Sequence, residues 1–226
     1  RDNFSWWVDR MRTVMQLADV VRIDHFRGLA AYYAVPYGSK TAEHGKWYKC
    51  PGEGLLSAFQ QAFGSVPVVA QDLGFITDDV HQLRDSFNLL GMRVLQFGFG
   101  ADGYNTNIHA PFNVSPQSAI FTGTHDNDTA KGWLGSVSAE ERKRMFTLMG
   151  KPPRSEFERA FVRLALSTPA KLAITPLQDI LGLGSSGRMI RPGFARLDSW
   201  SWRFNDSLKS SVDWLREVTE ATGRAG

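Results

Sequence analysis

The residues best suited to chemistry lie in three short polar clusters, each placed directly after an apolar run. Asp24-His25 follows Val20-Val21-Arg22-Ile23, Gln71-Asp72 follows Val66-Pro67-Val68-Val69-Ala70, and His125-Asp126 follows Ala119 through Thr124. A buried strand ends in this way when it delivers a reactive group to its mouth, because Arg22 and Asp24 are costly inside it unless they meet each other or a ligand. Asp24 is therefore the first catalytic candidate. The other reading of Arg22 and Asp24 is a structural ion pair that caps the strand, since such pairs perturb carboxylates without any catalysis. Retaining glycoside chemistry needs a carboxylate nucleophile and a second carboxyl group ~5–5.5 Å away as acid and then base. Asp24 suits the nucleophile, with Arg22 beside it on the strand to favour its charge. Asp126 suits a clamp on sugar hydroxyls, with His125 as a second hydrogen-bond donor. A His-Asp pair of this kind also occurs simply as a cap or a solvated pair.

The elements that must position these clusters alternate along the chain. Phe4, Val8, Met11, Met15 and Ala18 recur at helical spacing, and Asp2 or Asn3 is placed to cap that helix. Residues 29–49, rich in Tyr, Gly, Pro and Lys without a sustained period, read as a long active-site loop. Further helices are expected at 53–63, from Thr77-Asp78-Asp79 to about Leu90 with Gly91 as the stop, at 139–149 and 154–167, and from Ser207 to about Ala221. Strands are expected at 20–24, 66–70, 93–99, 119–124 and 171–175. Short buried strands between amphipathic helices mean a parallel sheet with right-handed crossovers. An open doubly wound sheet and part of a (β/α)8 barrel both satisfy the pattern. No glycine-rich phosphate loop follows any strand, which weighs against open-sheet nucleotide binders. In a barrel the catalytic groups sit at the C-terminal ends of strands, where all three polar clusters fall, so the barrel is preferred and the clusters point to one cleft.

The totals exclude several classes. With 226 residues and 42% hydrophobic content the chain can bury a substantial core. Its 26 basic residues are interspersed with acids and leave a net charge of only +3, so a pI near 9.1 does not make nucleic acid a partner. Cys50 is the single cysteine, which excludes an internal disulfide framework and cysteine-rich metal sites. No apolar run approaches the ~18 residues of a membrane span. The start, Arg1-Asp2-Asn3, reads as mid-protein or processed.

Longer motifs carry a resemblance. Val21-Arg22-Ile23-Asp24-His25-Phe26-Arg27-Gly28, Gly91-Met92-Arg93-Val94-Leu95-Gln96-Phe97, Thr122-Gly123-Thr124-His125-Asp126-Asn127-Asp128-Thr129, Pro176-Leu177-Gln178-Asp179 with Leu181-Gly182-Leu183-Gly184, and Trp200-Ser201-Trp202-Arg203 resemble the 4-α-glucanotransferases, the amylomaltases or disproportionating enzymes of the α-amylase clan. The similarity covers nearly the whole chain and the later part of such an enzyme. It implies an α/β fold, the C-terminal part of a (β/α)8 TIM barrel with about five parallel strands. Residues 1–226 then form one portion of a single barrel domain, and an N-terminal barrel segment is missing. The resemblance implies transfer of α-1,4-glucan segments between malto-oligosaccharides, donor and acceptor, through a covalent glucosyl-enzyme intermediate, without metal or organic cofactor. It implies Asp24 as nucleophile, Asp126 as transition-state stabiliser, Arg22 and His125 as their supports, and Phe97 as a wall of the acceptor side. A cytoplasmic location and no membrane or nucleic-acid partner go with it.

Three positions depart from the family pattern. Where the family has the acid/base Glu after the strand Val68-Val69-Ala70, this chain has Gln71, and an amide can donate a hydrogen bond but cannot give up a proton and take it back. Asp72 is not expected to substitute, since successive side chains of an extended segment face opposite ways. Ile190 stands where an Asn is usual and Ala30 where a Glu is common. Beside the transferase, two readings stay open: a malto-oligosaccharide-binding relative that has lost its acid, and a hydrolase of the same clan.

Overall fold

The computed structural model describes residues 3–100, 103–194, 197–205 and 209–225. The chain divides into two compact units, Arg1–Met92 and Arg93–Gly226.

The first unit opens with helix α1 (Ser5–Met15), which feeds strand β1 (Val21–Ile23). Phe4 occupies the N-cap in the left-handed region without a side-chain cap, so Asn3 does not play the expected role; Asp2 lies outside the described residues. A single-turn helix, α2 (Arg27–Ala30), leads into β2 (Ala31–Ala34), which pairs antiparallel with β3 (Lys46–Lys49). The expected loop over 29–49 is thus corrected: its rings pair across two short strands, Tyr32 with Tyr48 at 5.6 Å and Tyr33 with Trp47 at 5.2 Å. Cross-strand aromatic pairs of this kind stabilise a ladder that has no apolar alternation to announce it. Helix α3 (Gly52–Phe63) ends at Gly64, whose φ of 74° needs a residue without Cβ.

Strand β4 (Val68–Ala70) is buried at all three residues and pairs parallel with β1, Val21 opposite Val68 and Ile23 opposite Ala70. Helix α4 (Asp78–Ser86) follows, then β5 (Leu90–Val94), parallel to β4. Both elements differ from the expected bounds, a helix to about Leu90 and a strand over 93–99. The helix stops short of Leu90 because Asn88 takes a left-handed φ of 53°, and Gly91 is a buried residue inside the strand. The chain then tightens into a 3-10 turn at Leu95–Phe97, which ends the strand earlier than 99. Phe26, Leu56, Val68, Ala70, Val80 and Leu89 form the core that α1, α3 and α4 cover. A fully buried side chain of this size contributes about 1.5–3 kcal/mol.

In the second unit β6 (Ser118–Phe121) pairs parallel with a later strand. The unforeseen helix α5 (Ala130–Leu134) is capped by Thr129, whose hydroxyl accepts from the Gly132 N–H. Helix α6 (Ala139–Leu148) starts on a capping box in which Ser138 and Glu141 satisfy each other's backbone. Glu141 is held below the usual carboxylate range first by the Ser138 N–H and then by its hydroxyl. Helix α7 (Phe157–Leu166), strand β7 (Leu172–Ile174), helix α8 (Leu177–Ile180) and helix α9 (Lys209–Ala221) complete the unit. Position 207, expected to start the last helix, lies outside the described residues. Phe99, Ile120, Met145, Phe157 and Phe161 fill the core. Five strands, β1, β4, β5, β6 and β7, therefore follow the parallel α/β pattern.

Candidate active site

The first unit presents Arg22, Asp24 and Gln71 together. The ladder between β1 and β4 continues past both strands, with the Gln71 N–H donating to the Ile23 carbonyl at 3.0 Å and the Phe26 N–H to the Gln71 carbonyl at 3.2 Å. Phe26 is completely buried and anchors this corner. Between anchor and strand, His25 is bent to a φ of 47°, an uncommon conformation for a residue with a Cβ. That bend lets the His25 N–H donate to Gln71 Oε1 at 2.9 Å. Arg22 Nη2 lies 2.8 Å from Asp24 Oδ1, while Arg22 Nε faces the sulfur of Met92 at 3.5 Å. The Asp24 side chain is 75% exposed, so water screens the pair, and the contact aims the carboxylate more than it stabilises the fold. A cavity of about 400 Å³ is lined by Asp24, Arg22, Trp7, Met11 and Phe59.

Asp72 behaves in the opposite way to its neighbour. It is buried, its carboxylate pairs with Arg84, and Oδ1 accepts from the Met92 N–H at 2.7 Å. As the alternation along the strand required, it is committed to the interior and is no reserve acid.

The second unit holds His125 and Asp126 in a turn after β6 that is knotted by its own polar side chains. Asn127 Oδ1 accepts from both the Thr124 N–H and its hydroxyl, and Thr124 Oγ1 accepts from the Asp126 N–H. Arg188 Nη2 donates to the Asp126 carbonyl at 3.0 Å and Nη1 lies 3.6 Å from the Asp128 carboxylate. Asp128 accepts from Ser185 Oγ at 2.8 Å, and its carbonyl accepts from Gln96 Nε2 at 2.8 Å. Gly132 passes so close that a Cβ there would sit 2.3 Å from Ser185 Oγ and 2.5 Å from Asp128 Oδ1.

Beneath the turn Asp179 bridges its two ends, accepting from Thr122 Oγ1 at the exit of β6 and from the Ala130 N–H at the start of α5, each at 2.7 Å. Burial pushes the Asp179 carboxyl above its ordinary value; the Ala130 and Thr122 hydrogen bonds pull it back, and the charges of Glu158 and Asp128 add to the rise. His125 Nε2 is 3.4 Å from Asp126 Oδ2, and its ring packs at 5.2 Å on Trp200, itself left-handed at a φ of 63°. A cavity of about 530 Å³ is lined by His125, Asn127, Arg188, Trp200, Trp202 and Arg203. Indole faces beside hydroxyl-sized donors and acceptors are the equipment of a sugar-binding cleft. Phe97, on a separate segment, is 47% exposed and meets His109 edge-on at 5.6 Å.

Sequence reasoning assigned no role to Asp128, Asp179, Arg188 or the two tryptophans. The partners of Asp179 lie 57 and 49 residues away, and nothing local marks them. Among the described residues no group of three or more His, Cys, Asp or Glu is placed to hold a metal ion, and no helix is long and apolar enough to cross a membrane.

Five parallel strands with helices between them, two of them followed by exposed carboxylates, define an α/β protein of the barrel type. The sequence pattern of the 4-alpha-glucanotransferases (glycoside hydrolase 77) matches residues 1–209, and the chain belongs to that family. It is 46% identical to a 4-alpha-glucanotransferase of Synechocystis over 98% of this chain, and 42% identical to the chloroplastic/amyloplastic enzyme of Solanum tuberosum over 99%. The whole chain superposes on an amylomaltase from Streptococcus agalactiae in complex with acarbose, with a TM-score of 0.92 at 28% identity, so its five parallel strands match part of that enzyme's barrel. The chain spans 44% of the Synechocystis enzyme, 39% of the potato enzyme and 46% of the amylomaltase.

Proposed function

We propose that this chain is the C-terminal portion of one barrel domain, and that the whole protein moves α-1,4-glucan segments from one malto-oligosaccharide to another with retention. The observation that carries the reading is Asp24, exposed at the end of β1 and aimed by Arg22. In the first step an Asp24 oxygen bonds to the anomeric carbon, the glycosidic bond breaks, and the departing 4-oxygen takes its proton from water. In the second the 4-hydroxyl of an acceptor glucan bonds to that carbon, displaces Asp24 and gives its proton to water. Asp126, with His125 beside it, grips the sugar hydroxyls that rearrange in the flattened transition state. Phe97, half-exposed, forms a wall for the acceptor. The displacement needs no metal or organic cofactor, because the carboxylates supply both nucleophile and charge. We place the protein in the cytoplasm.

Gln71 stands in the place of the acid/base. It offers the glycosidic oxygen a hydrogen bond and no proton, which makes transfer slow by ~10²–10⁴-fold. That substitution also favours a second reading, a relative that binds malto-oligosaccharides and turns them over poorly. The protein containing this chain, incubated with maltotriose, separates the readings. Glucose together with longer maltodextrins is expected of the transferase; net glucose alone would mean a hydrolase, and binding without products the binding relative.

A further inference from the structure

Asp126 and Asp128 stand two residues apart in one turn and are held in different ways. The Asp128 carboxylate is engaged at both oxygens. Oδ1 accepts from the Thr129 N–H and Oδ2 from Ser185 Oγ, each at 2.8 Å, and Arg188 Nη1 lies 3.6 Å from Oδ2. The Asp126 side chain is 54% exposed, with His125 Nε2 3.4 Å from its carboxylate. Arg188 reaches Asp126 through the main chain instead, where Nη2 donates to the carbonyl at 3.0 Å. Its Nε donates to the Ile190 carbonyl at 3.1 Å, and most of the side chain is buried. The guanidinium is planar, so these three contacts fix one another's directions. Thr124 and Asn127 bond within the turn and give it its shape, whereas Arg188 and Ser185 tie it to residues 185–190 and give it its place. Because the Arg188 charge faces Asp128 and main-chain oxygen, the Asp126 carboxylate keeps lone pairs for hydroxyl donors.

From this we infer that Arg188 is a positioning residue: by holding the Asp126 main chain it sets that carboxylate for the flattened sugar of the transition state, and it adds little to the binding of an undistorted glucan. The inference rests on the assignment of Asp126 as the group that grips the rearranging hydroxyls. Flattening a sugar ring shifts its hydroxyls only slightly. A carboxylate can favour the flattened ring over the chair only if its own backbone is kept from following the chair. The turn's internal bonds cannot supply that restraint, since they move with it. The Arg188 bond comes from outside the turn and does supply it.

The test is equilibrium binding to the whole protein of two sugars: acarbose, whose terminal ring is flattened by a double bond, and maltotriose, whose rings are chairs. The ratio of their affinities does not depend on how much of a variant is folded, and it does not require turnover. In Arg188→Met the preference for acarbose should fall by ~10-fold or more, while maltotriose affinity stays within about twofold. Arg188→Lys keeps a cation beside Asp128 and loses the planar fork, so it should fold as the parent does and still lower the ratio. Asp126→Asn should lower it as well. If Arg188 acts through Asp126, the double variant loses no more than Asp126→Asn alone. With maltotriose as substrate, Arg188→Met should reduce kcat and leave KM as it was. An unchanged ratio in both Arg188 variants, with a lowered one in Asp126→Asn, would overturn the inference and leave the reading of Asp126 standing. An unchanged ratio in Asp126→Asn, or a parent protein that does not bind acarbose, would remove that reading and the inference with it. Equal losses for the two sugars, or losses that add in the double variant, would also overturn it.

Discussion

Asp24 and Asp126 each lie just past the end of a parallel strand, yet the two units hold them by different means. In the first unit the positioning is done by the main chain: two ladder bonds beyond the strands, a left-handed His25 and the buried ring of Phe26. The carboxylate itself stands in solvent with a single ion pair. In the second unit side chains do the positioning, through Thr124, Asn127, Asp128, Arg188 and the buried Asp179. The contrast separates chemistry from stability. A change at the exposed corner should alter the reaction and spare the fold, whereas a change beneath the turn should loosen the structure first.

The largest effect expected is that of Asp24→Asn in the whole protein, measured against maltotriose. Transfer should fall to the uncatalysed rate, while the unfolding free energy in urea moves by no more than about 1 kcal/mol, the ceiling for an exposed pair. Transfer that survives the change would remove the nucleophile assignment; a large loss of stability would break the contrast between the units. Next in size, and opposite in sign, is Gln71→Glu. One carboxylate oxygen can keep the His25 N–H while the other carries the proton, so maltotriose transfer should rise by ~10²–10⁴-fold with little change in stability.

The same contrast explains what could be read from the sequence. Residues 21–23, 68–70, 118–121 and 172–174 were legible as strands because short runs of branched residues stop abruptly at polar ones, and the first-unit site came with them, since Asp24 and Gln71 are themselves the stops. The strand at Leu90–Val94 was displaced in the reading because Gly91 resembles a helix stop, and only the backbone shows Asn88 ending the helix. The β2/β3 pair announces itself only by β-prone rings, Tyr32, Tyr33, Trp47 and Tyr48, scattered among turn formers. The second-unit web was illegible for a different reason. Asp179 looks like any acid opening a short helix until Thr122 and Ala130 are brought to it.

Beneath that turn, Asp179→Ala would leave the Thr122 hydroxyl and the Ala130 N–H buried without an acceptor, at about 1–3 kcal/mol each. Asp179→Asn keeps one of the two bonds and should cost roughly half as much. The pH dependence has a definite sign. The folded-state value of Asp179 is raised, so above about pH 4 the folded protein retains a proton that the unfolded chain has lost. Its contribution is therefore present in full at low pH and declines as pH rises through the raised value. The stability difference between the parent and Asp179→Asn, from urea unfolding at stepped pH, should accordingly narrow with rising pH. A difference that widens would mean that the two hydrogen bonds outweigh burial.

The smallest effect is expected at Ile190, where the resemblance of the sequence to the family implies an Asn. Its carbonyl accepts from Arg188 Nε at 3.1 Å, a main-chain bond that any residue there supplies, so the side chain is free to change without disturbing Arg188 or the turn it braces. The side chain lines a shallow groove of about 300 Å³ with Ser185, Arg188, Arg191 and Asp198. Ile190→Asn adds one donor and one acceptor to the groove in place of an apolar surface, and we expect them to meet a sugar hydroxyl there. A single hydrogen bond of that kind is worth about 0.5–1.5 kcal/mol, so acarbose should bind up to about tenfold more tightly, with the urea midpoint unchanged. Put into Gln71→Glu, the substitution should lower KM for maltotriose by a similar factor and leave kcat as it was, because a contact made equally in ground and transition states changes binding alone. A rise in kcat instead would show that position 190 acts on the reacting sugar, and would extend the chemistry of the second unit beyond the turn that carries Asp126.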